Sequence, residues 1–332
     1  MKNYFRNYWK ENKAQVLFIS MLSIALAFGL VPTESAAMAP FMFMGTTGIT
    51  QAFVQQWDSS IRAQAQQAES RFMTAVVDRG VITGDGFTIN GMGEVELDEN
   101  TVRNGDTEWG DPGHSNRIAI MKDFYKALPL DRNDIPKMLV NPVTGGDYMG
   151  SLMKGKNRKI DDIIYAALRG TINSKDGATV NTLPAGQKIA HGSTGFTKAK
   201  IIQAKSIFRA NEADEFDDEE LFMAYNSKAL EDIMSDTTLT SADHMAVQML
   251  QEGAIGKKWM GFTWIPYERI TLSASVYYAV AWAKSGIHFG KGYEEGNVTR
   301  RGDKKDLYQV SMGASYGAGR QDESKVVEIA FQ

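Results

Sequence analysis

Four histidines, at positions 114, 191, 244 and 288, and no cysteine make up the chain's stock of metal-binding and nucleophilic side chains. The histidines lie far apart and show none of the paired spacing that zinc requires, so each reads as an ordinary surface or loop residue. Without cysteine there is no thiolate ligand, no disulfide framework and no cysteine nucleophile. The run 212–220 gathers Asp214, Glu215, Asp217, Asp218, Glu219 and Glu220. It lacks the Asp-x-Asp-x-Asp-Gly loop with a closing Glu that calcium takes, and reads as a solvated loop. Gly253-Ala254-Ile255-Gly256-Lys257-Lys258 has its first glycine misplaced for a phosphate loop, and neither Ser nor Thr follows the lysine. Gly84-Asp85-Gly86 leads into no dinucleotide-binding helix. Asp161 and Asp162 are neighbours, so on a helix they diverge by about 100° instead of converging on a proton. No His-Glu-x-x-His motif occurs. No catalytic, cofactor or metal site follows, and no small-molecule substrate.

Two other clusters carry charge in a pattern. Asn104, Asp106, Trp109, Asp111 and His114 lie at the far end of a Gly-, Asp- and Asn-rich stretch spanning 81–130. A solvated turn is the plain reading, and an acidic loop with one histidine as a metal ligand is the sharper one. Lys154, Lys156, Arg158 and Lys159 form the middle of a long helical pattern. Such a face is either solvated or turned toward nucleic-acid phosphates, which it would bind without sequence preference.

The elements that hold these clusters read as α+β. The 332 residues suffice for a large core in one elaborate domain or two. A net charge of −4 argues against a dedicated nucleic-acid binder. An amphipathic helix is expected over 49–73, with Phe53, Trp57 and Ile61 on one face. Phe87-Thr88-Ile89 and Gly93-Glu94-Val95-Glu96-Leu97 suggest hairpin strands with a long tip. A loop this long without its own core is usually functional or disordered. Met149, Leu152, Met153, Ile160, Ile163, Ile164 and Leu168 keep a helical stripe that Gly170 ends. About 20–25 such residues span about 30–37 Å. A polar loop or hairpin follows over 174–193. Ile201, Ala204, Ile207 and Phe208 then share a helical face, and Leu221 to Tyr225 forms a buried strand. Ser227 and Thr240 fit helix N-caps, Asp243 completes a capping box, and Gly253 ends that helix. One or two buried strands are expected over 273–284. The stretch from Tyr308 to Ala314 alternates and then turns through Gly317 and Gly319, and a final strand covers Val326 to Ile329.

The N-terminus stands apart. Lys2, Arg6, Lys10 and Lys13 precede an apolar run over 14–31, and Ala37-Met38-Ala39 offers a small-x-small site. A signal peptide, a short membrane span, a buried apolar arm and a start codon upstream of the true one all fit this pattern.

Several phrases, in order, resemble tailed-phage major capsid proteins of the Hong Kong 97-type fold. They are Ile49-Thr50-Gln51-Ala52-Phe53, Leu183-Pro184-Ala185-Gly186-Gln187-Lys188-Ile189, Lys198 to Asn211, Thr240-Ser241-Ala242-Asp243 with Leu250, and Gly261-Phe262 with Ile265, Glu268 and Arg269. The ending from Gly313-Ala314 to Val326-Val327-Glu328-Ile329 agrees, whereas residues 1–45 fall outside the resemblance. The resemblance implies an N-terminal arm (1–80), an extended loop (81–130), a peripheral domain with a spine helix (131–190), an axial domain (191–284) and C-terminal strands returning to the peripheral domain (285–332). It also implies a virion shell of hexamers and pentamers around double-stranded DNA, assembled in the host cytoplasm. Portal, scaffold and decoration proteins would be further partners. Asn104, Asp106, Trp109, Asp111 and His114 would then contact a neighbouring subunit, and Lys154, Lys156, Arg158 and Lys159 would face DNA. Two other readings remain at this level: an encapsulin-like nanocompartment shell, and an exported binding protein or hydrolase with a signal peptide over 1–39.

Overall fold

The computed structural model describes residues 66–332 apart from 98, 100–102, 104, 107–108, 138–145, 178 and 236–257. A 3-10 turn, Met73–Ala75, leads into β1 (Val77–Val81), the hairpin strands β2 (Gly86–Met92) and β3 (His114–Ile120), and β4 (Lys122–Leu130). Helix α1 (Asp147–Arg169) follows, then β5 (Ile172–Ser174), β6 (Val180–Asn181) and β7 (Lys188–Ile189). Next come α2 (Lys198–Ala210), β8 (Leu221–Tyr225), α3 (Ser227–Ser235), β9 (Lys258–Trp259), β10 (Phe262–Pro266), β11 (Leu272–Ser273) and β12 (Val276–Ala283). The chain closes with β13 (Ile287–Arg301), β14 (Leu307–Arg320) and β15 (Val326–Phe331).

These strands make three sheets, ordered β1-β13-β14-β4, β7-β15-β12-β8-β10-β9 with β11 beside β12, and β2-β3-β5-β6. The apolar stripe expected on α1 is buried at Leu152, Ile160, Ile164 and Leu168. Leu152 packs on Val310 and Met312, so the helix lies on β14. All five residues of β8 are buried, between β10 and β12. A strand covered on both faces reads as a continuous apolar run, and Leu-Phe-Met-Ala-Tyr is one. Trp282, fully buried on β12, packs edge-on against Phe72 and donates its indole N–H to the carbonyl of Ala75 at 2.8 Å. The region 273–284 resolves into two strands joined through Ala274 and Ser275, both at positive φ, which suits a tight hairpin.

Several expectations are corrected. Residues 66–72 are not helical, and the rest of the expected 49–73 helix lies outside the described residues. Instead, the fully buried Asp161 carboxylate of α1 pins this segment. It accepts from Gln67 Nε2, from Ser70 Oγ at 2.6 Å, and from the Arg71 and Phe72 backbone N–H groups at 3.0–3.2 Å. Gly170 is extended (φ −71°), not left-handed, so it does not cap α1 in the usual glycine manner. The buried Arg320 guanidinium closes that end, donating to the carbonyls of Leu168 and Gly170 at 2.8 and 2.9 Å. The N-cap of α3 is Asn226, whose Oδ1 accepts from Ala229 N, while Ser227 is held by Glu268. Thr240, Asp243, His244 and Gly253 lie outside the described residues.

β14 does not turn at Gly317 and Gly319 but runs straight through both to Arg320. The glycines serve close approach. A Cβ on Gly319 would stand 2.8 Å from Ala119 Cβ and Ile89 Cδ1, and one on Gly317 would stand 2.7 Å from Met121 Sδ. The chain after residue 285 does not return as one block. β13 and β14 join β1 and β4 beside α1, whereas β15 pairs with β12 and β7 in the other sheet. Alternation within Val-Val-Glu-Ile specifies a strand but not its neighbour, and β12 offered an equally apolar edge.

Candidate functional site

Strands β2 and β3 pair from Gly86 with Ile120 out to Met92 with His114, and Gly93 N donates to Gly113 O at 2.7 Å. The hairpin is anchored at its base. Phe87 and Ile89 point inward and cluster with Ala119, Ile172 and Met121. Arg117 on β3 makes a bidentate pair with Glu323 at 2.6 and 2.7 Å, and Glu323 also meets Arg320 at 3.3 Å. Loop base, helix end and β14 thus share one buried charge cluster. No local signal in the sequence marks it, because Arg117 lies 203 and 206 residues along the chain from Arg320 and Glu323.

Beyond Gly93 the loop has no such support. Leu97 and Trp109 are 98% and 92% exposed, and Val95 is also exposed. Asp106, Asp111 and His114 are exposed too, while Asn104 lies outside the described residues. Among the described residues no group of three or more His, Asp or Glu side chains gathers as a metal site.

The basic stretch of α1 is more engaged with its own fold than a solvated face would be. Lys156, with 12% of its side chain exposed, pairs with Glu294 of β13 at 2.5 Å. Burial opposes the Glu294 charge, and Lys156 outweighs it, so this carboxyl sits below the usual range. Arg158 donates to Gln66 Oε1 at 2.6 Å, and the Lys159 ammonium lies 5.0 Å over the Phe124 ring. Lys154 is half-buried. Between α1, edge strand β4 and β14 opens a groove of about 410 Å³, which Lys156, Arg158 and Lys159 border and Lys154 does not.

Other ionisable groups expected to be solvated are structural. In the acidic run, buried Asp214 pairs with Arg209 at 3.0 Å and caps Phe216 N. Burial would raise its pKa, but these partners hold it below the usual range. Glu219 meets Lys325 at 2.7 Å, whereas Glu220 stays solvated as expected, paired with the partly exposed Lys284 at 2.9 Å. His288 is buried on β13, not on the surface. Its Nδ1 accepts from Arg79 Nε at 3.2 Å, which leaves Nε2–H to donate to Gln321 Oε1 at 2.8 Å. Burial first, and Arg79 second among the lowering influences, depress its pKa against the Gln321 bond. Asp161 and Asp162 do diverge, Asp162 accepting from the Tyr267 hydroxyl at 2.8 Å and pairing with Arg269 at 2.9 Å. No described helix is long and apolar enough to cross a membrane.

A long helix laid on a long hairpin, a second sheet built around β12, and an anchored loop projecting bare apolar side chains define a shell-building subunit of the Hong Kong 97-type fold. Residues 49–332 match the model of the phage capsid protein family, and the chain belongs to that family. Its fold is similar to that of solved structures titled "Mycobacterium phage Che8" (TM-score 0.63, 12% identity, 83% of this chain and 96% of that one) and "Cyanophage Pam1 capsid asymmetric unit" (0.63, 13%, 85% and 97%). Gordonia phage Cozz gives a TM-score of 0.62 at 14% identity, over 87% of this chain and 94% of that one. At such identity the likeness speaks for the fold alone. No curated protein matches the sequence. The protein is a structural, non-enzymatic major capsid protein of an icosahedral bacteriophage shell; it associates with copies of itself and resides in the virion.

Proposed function

We propose that hexamers and pentamers of this subunit close around double-stranded DNA, each subunit laying its β2–β3 loop over a neighbour. The bare tip of that loop carries the reading. Its exposed Leu97 and Trp109 would cost ordering entropy and hydrated apolar surface in a free subunit, and both costs are recovered only under a partner. In this reading α1 with the β1-β13-β14-β4 sheet forms the peripheral domain, and 191–284 forms the axial domain together with β15. Lys154, Arg158 and Lys159 would supply the DNA-facing charge. Assembly takes place in the host cytoplasm, with portal, scaffold and decoration proteins as further contacts.

Deleting residues 90–115 tests the loop assignment. The cut falls beyond the cluster of Phe87, Ile89 and Ala119, so the subunit should stay folded and soluble. Electron microscopy should then show no closed particles, where the full chain forms them. Normal particles from the deletion would remove the loop from the interface.

A further inference from the structure

We propose that the backbone carbonyls around Lys200 form a cation-coordination site, and that the lysine ammonium is its tethered occupant, standing where a free monovalent cation would bind. Lys200 Nζ lies 2.9–3.0 Å from the carbonyl oxygens of His191, Thr194, Gly195 and Ala330. An ammonium has three protons to donate, so four oxygens at nearly equal distance describe a cation among dipoles more than a set of paired hydrogen bonds. Carbonyl oxygens gathered in this way replace the hydration shell of a monovalent ion. The place is otherwise poor for a positive charge. It is buried, which penalises the charged form. It also lies in the first turn of α2, the end whose dipole disfavours cations. The carbonyls offset both.

The cage is shaped by the loop and not by the lysine. Gly192 and Ser193 stand in succession at φ of +55° and +53°, a conformation that costs Ser193 energy and turns the chain back after His191. Ser193 N donates to His191 Nδ1 at 3.0 Å, and the Thr194 N–H and hydroxyl both donate to His191 O at 3.0 Å. Gln332 N donates to Thr194 O at 3.1 Å, which brings in the end of the chain beside Ala330. Behind the loop, Asp232 Oδ2 accepts from Phe196 N at 2.7 Å, and a Cβ on Gly195 would stand 2.5 Å from that oxygen. Asp232 is thus a fixed negative charge near the cage, felt by the Lys200 ammonium, and glycine is required at 195. None of these bonds involves the lysine. Trimming its side chain therefore leaves the carbonyls in place around an open site.

The test compares three full-length chains by thermal melting of the unassembled subunit in chlorides of equal concentration. Lys200→Ala opens the cage, and Lys200→Met fills the same space without charge. The alanine variant should melt about 3 °C or more higher in ammonium or potassium chloride than in tetramethylammonium chloride, whose cation is too bulky for the cage. That gain should grow with the logarithm of ammonium concentration, as for a ligand held only by the folded chain. Wild type and Lys200→Met should melt alike in all three salts. An alanine variant indifferent to the cation overturns the proposal. A gain shared by Lys200→Met overturns it too, because it would be a bulk salt effect. The wild-type chain supplies a second arm that needs no variant to fold. With lysine isotope-labelled at Nζ, nuclear magnetic resonance near neutral pH should show a slowly exchanging ammonium signal. Fast exchange at every lysine, or a slow signal with the shift of a neutral amine, rules out the caged cation.

Discussion

Lys200 sits in a helix-forming Lys-Ala-Lys run, where a lysine would ordinarily face water. Its ammonium is buried instead, donating to the carbonyls of His191, Thr194, Gly195 and Ala330 at 2.9–3.0 Å. It ties the 191–195 loop and the C-terminal strand to the start of α2. Burial depresses its pKa, and Asp232 partly restores it. Replacing the ammonium by an apolar chain of similar length leaves buried acceptors unmatched, each worth about 1–3 kcal/mol. Lys200→Met should therefore destabilise the unassembled subunit by at least about 2 kcal/mol, read from its urea midpoint. His288 makes a pH-dependent contribution. Its folded pKa is depressed, so below its ordinary value near 6.5 the unfolded chain takes up the proton first, and stability falls as pH drops through that range. The melting temperature should fall between pH 7.5 and 5.5, and by less in His288→Gln, which keeps a hydrogen-bonding side chain but cannot titrate.

At the scale of elements, the loop hairpin is rigid where it meets the subunit and bare where it leaves. Three glycines make the close seat possible. Gly290, Gly317 and Gly319 lie on β13 and β14 where Phe87, Met121, Ala119 and Ile89 press within 3 Å of any added Cβ. Gly319→Ala would overpack the contact, an effect of about 1–3 kcal/mol. Hydrogen exchange should show faster exchange in β2 and β3, with α2 and β8 unchanged. Exchange spread evenly over the chain would mean that Gly319 serves the whole fold and not the loop seat. The sequence suggests a turn at Gly317 and Gly319 because turns and close backbone approach leave the same mark along a chain. Only the partner strand separates them. Helix α1 is legible for the opposite reason. Its period of 3.6 survives wherever it packs, although the device closing its end, Arg320, stands 150 residues away.

For the whole molecule, charge placement matters more than the total of −4. If Lys154, Arg158 and Lys159 face DNA, changing them to Gln should leave particles intact but lower the DNA they retain as salt rises. The slope of log affinity against log salt should shrink by about 0.9 for each phosphate that is no longer neutralised. Unchanged retention would confine these residues to packing, the role Lys156 already has. The sequence by itself determined the periodic helix, the all-apolar β8 strand and the hairpin strands with their long tip, because each depends on side chains close together along the chain. The tertiary structure alone decided that β15 joins β12, that Asp161 and Lys200 are buried, that His288 is enclosed, and that a basic stretch of helix borders an apolar groove. Those outcomes depend on which surfaces meet across long separations. Burial sets the partner there, and an apolar or charged run carries no record of what it will face.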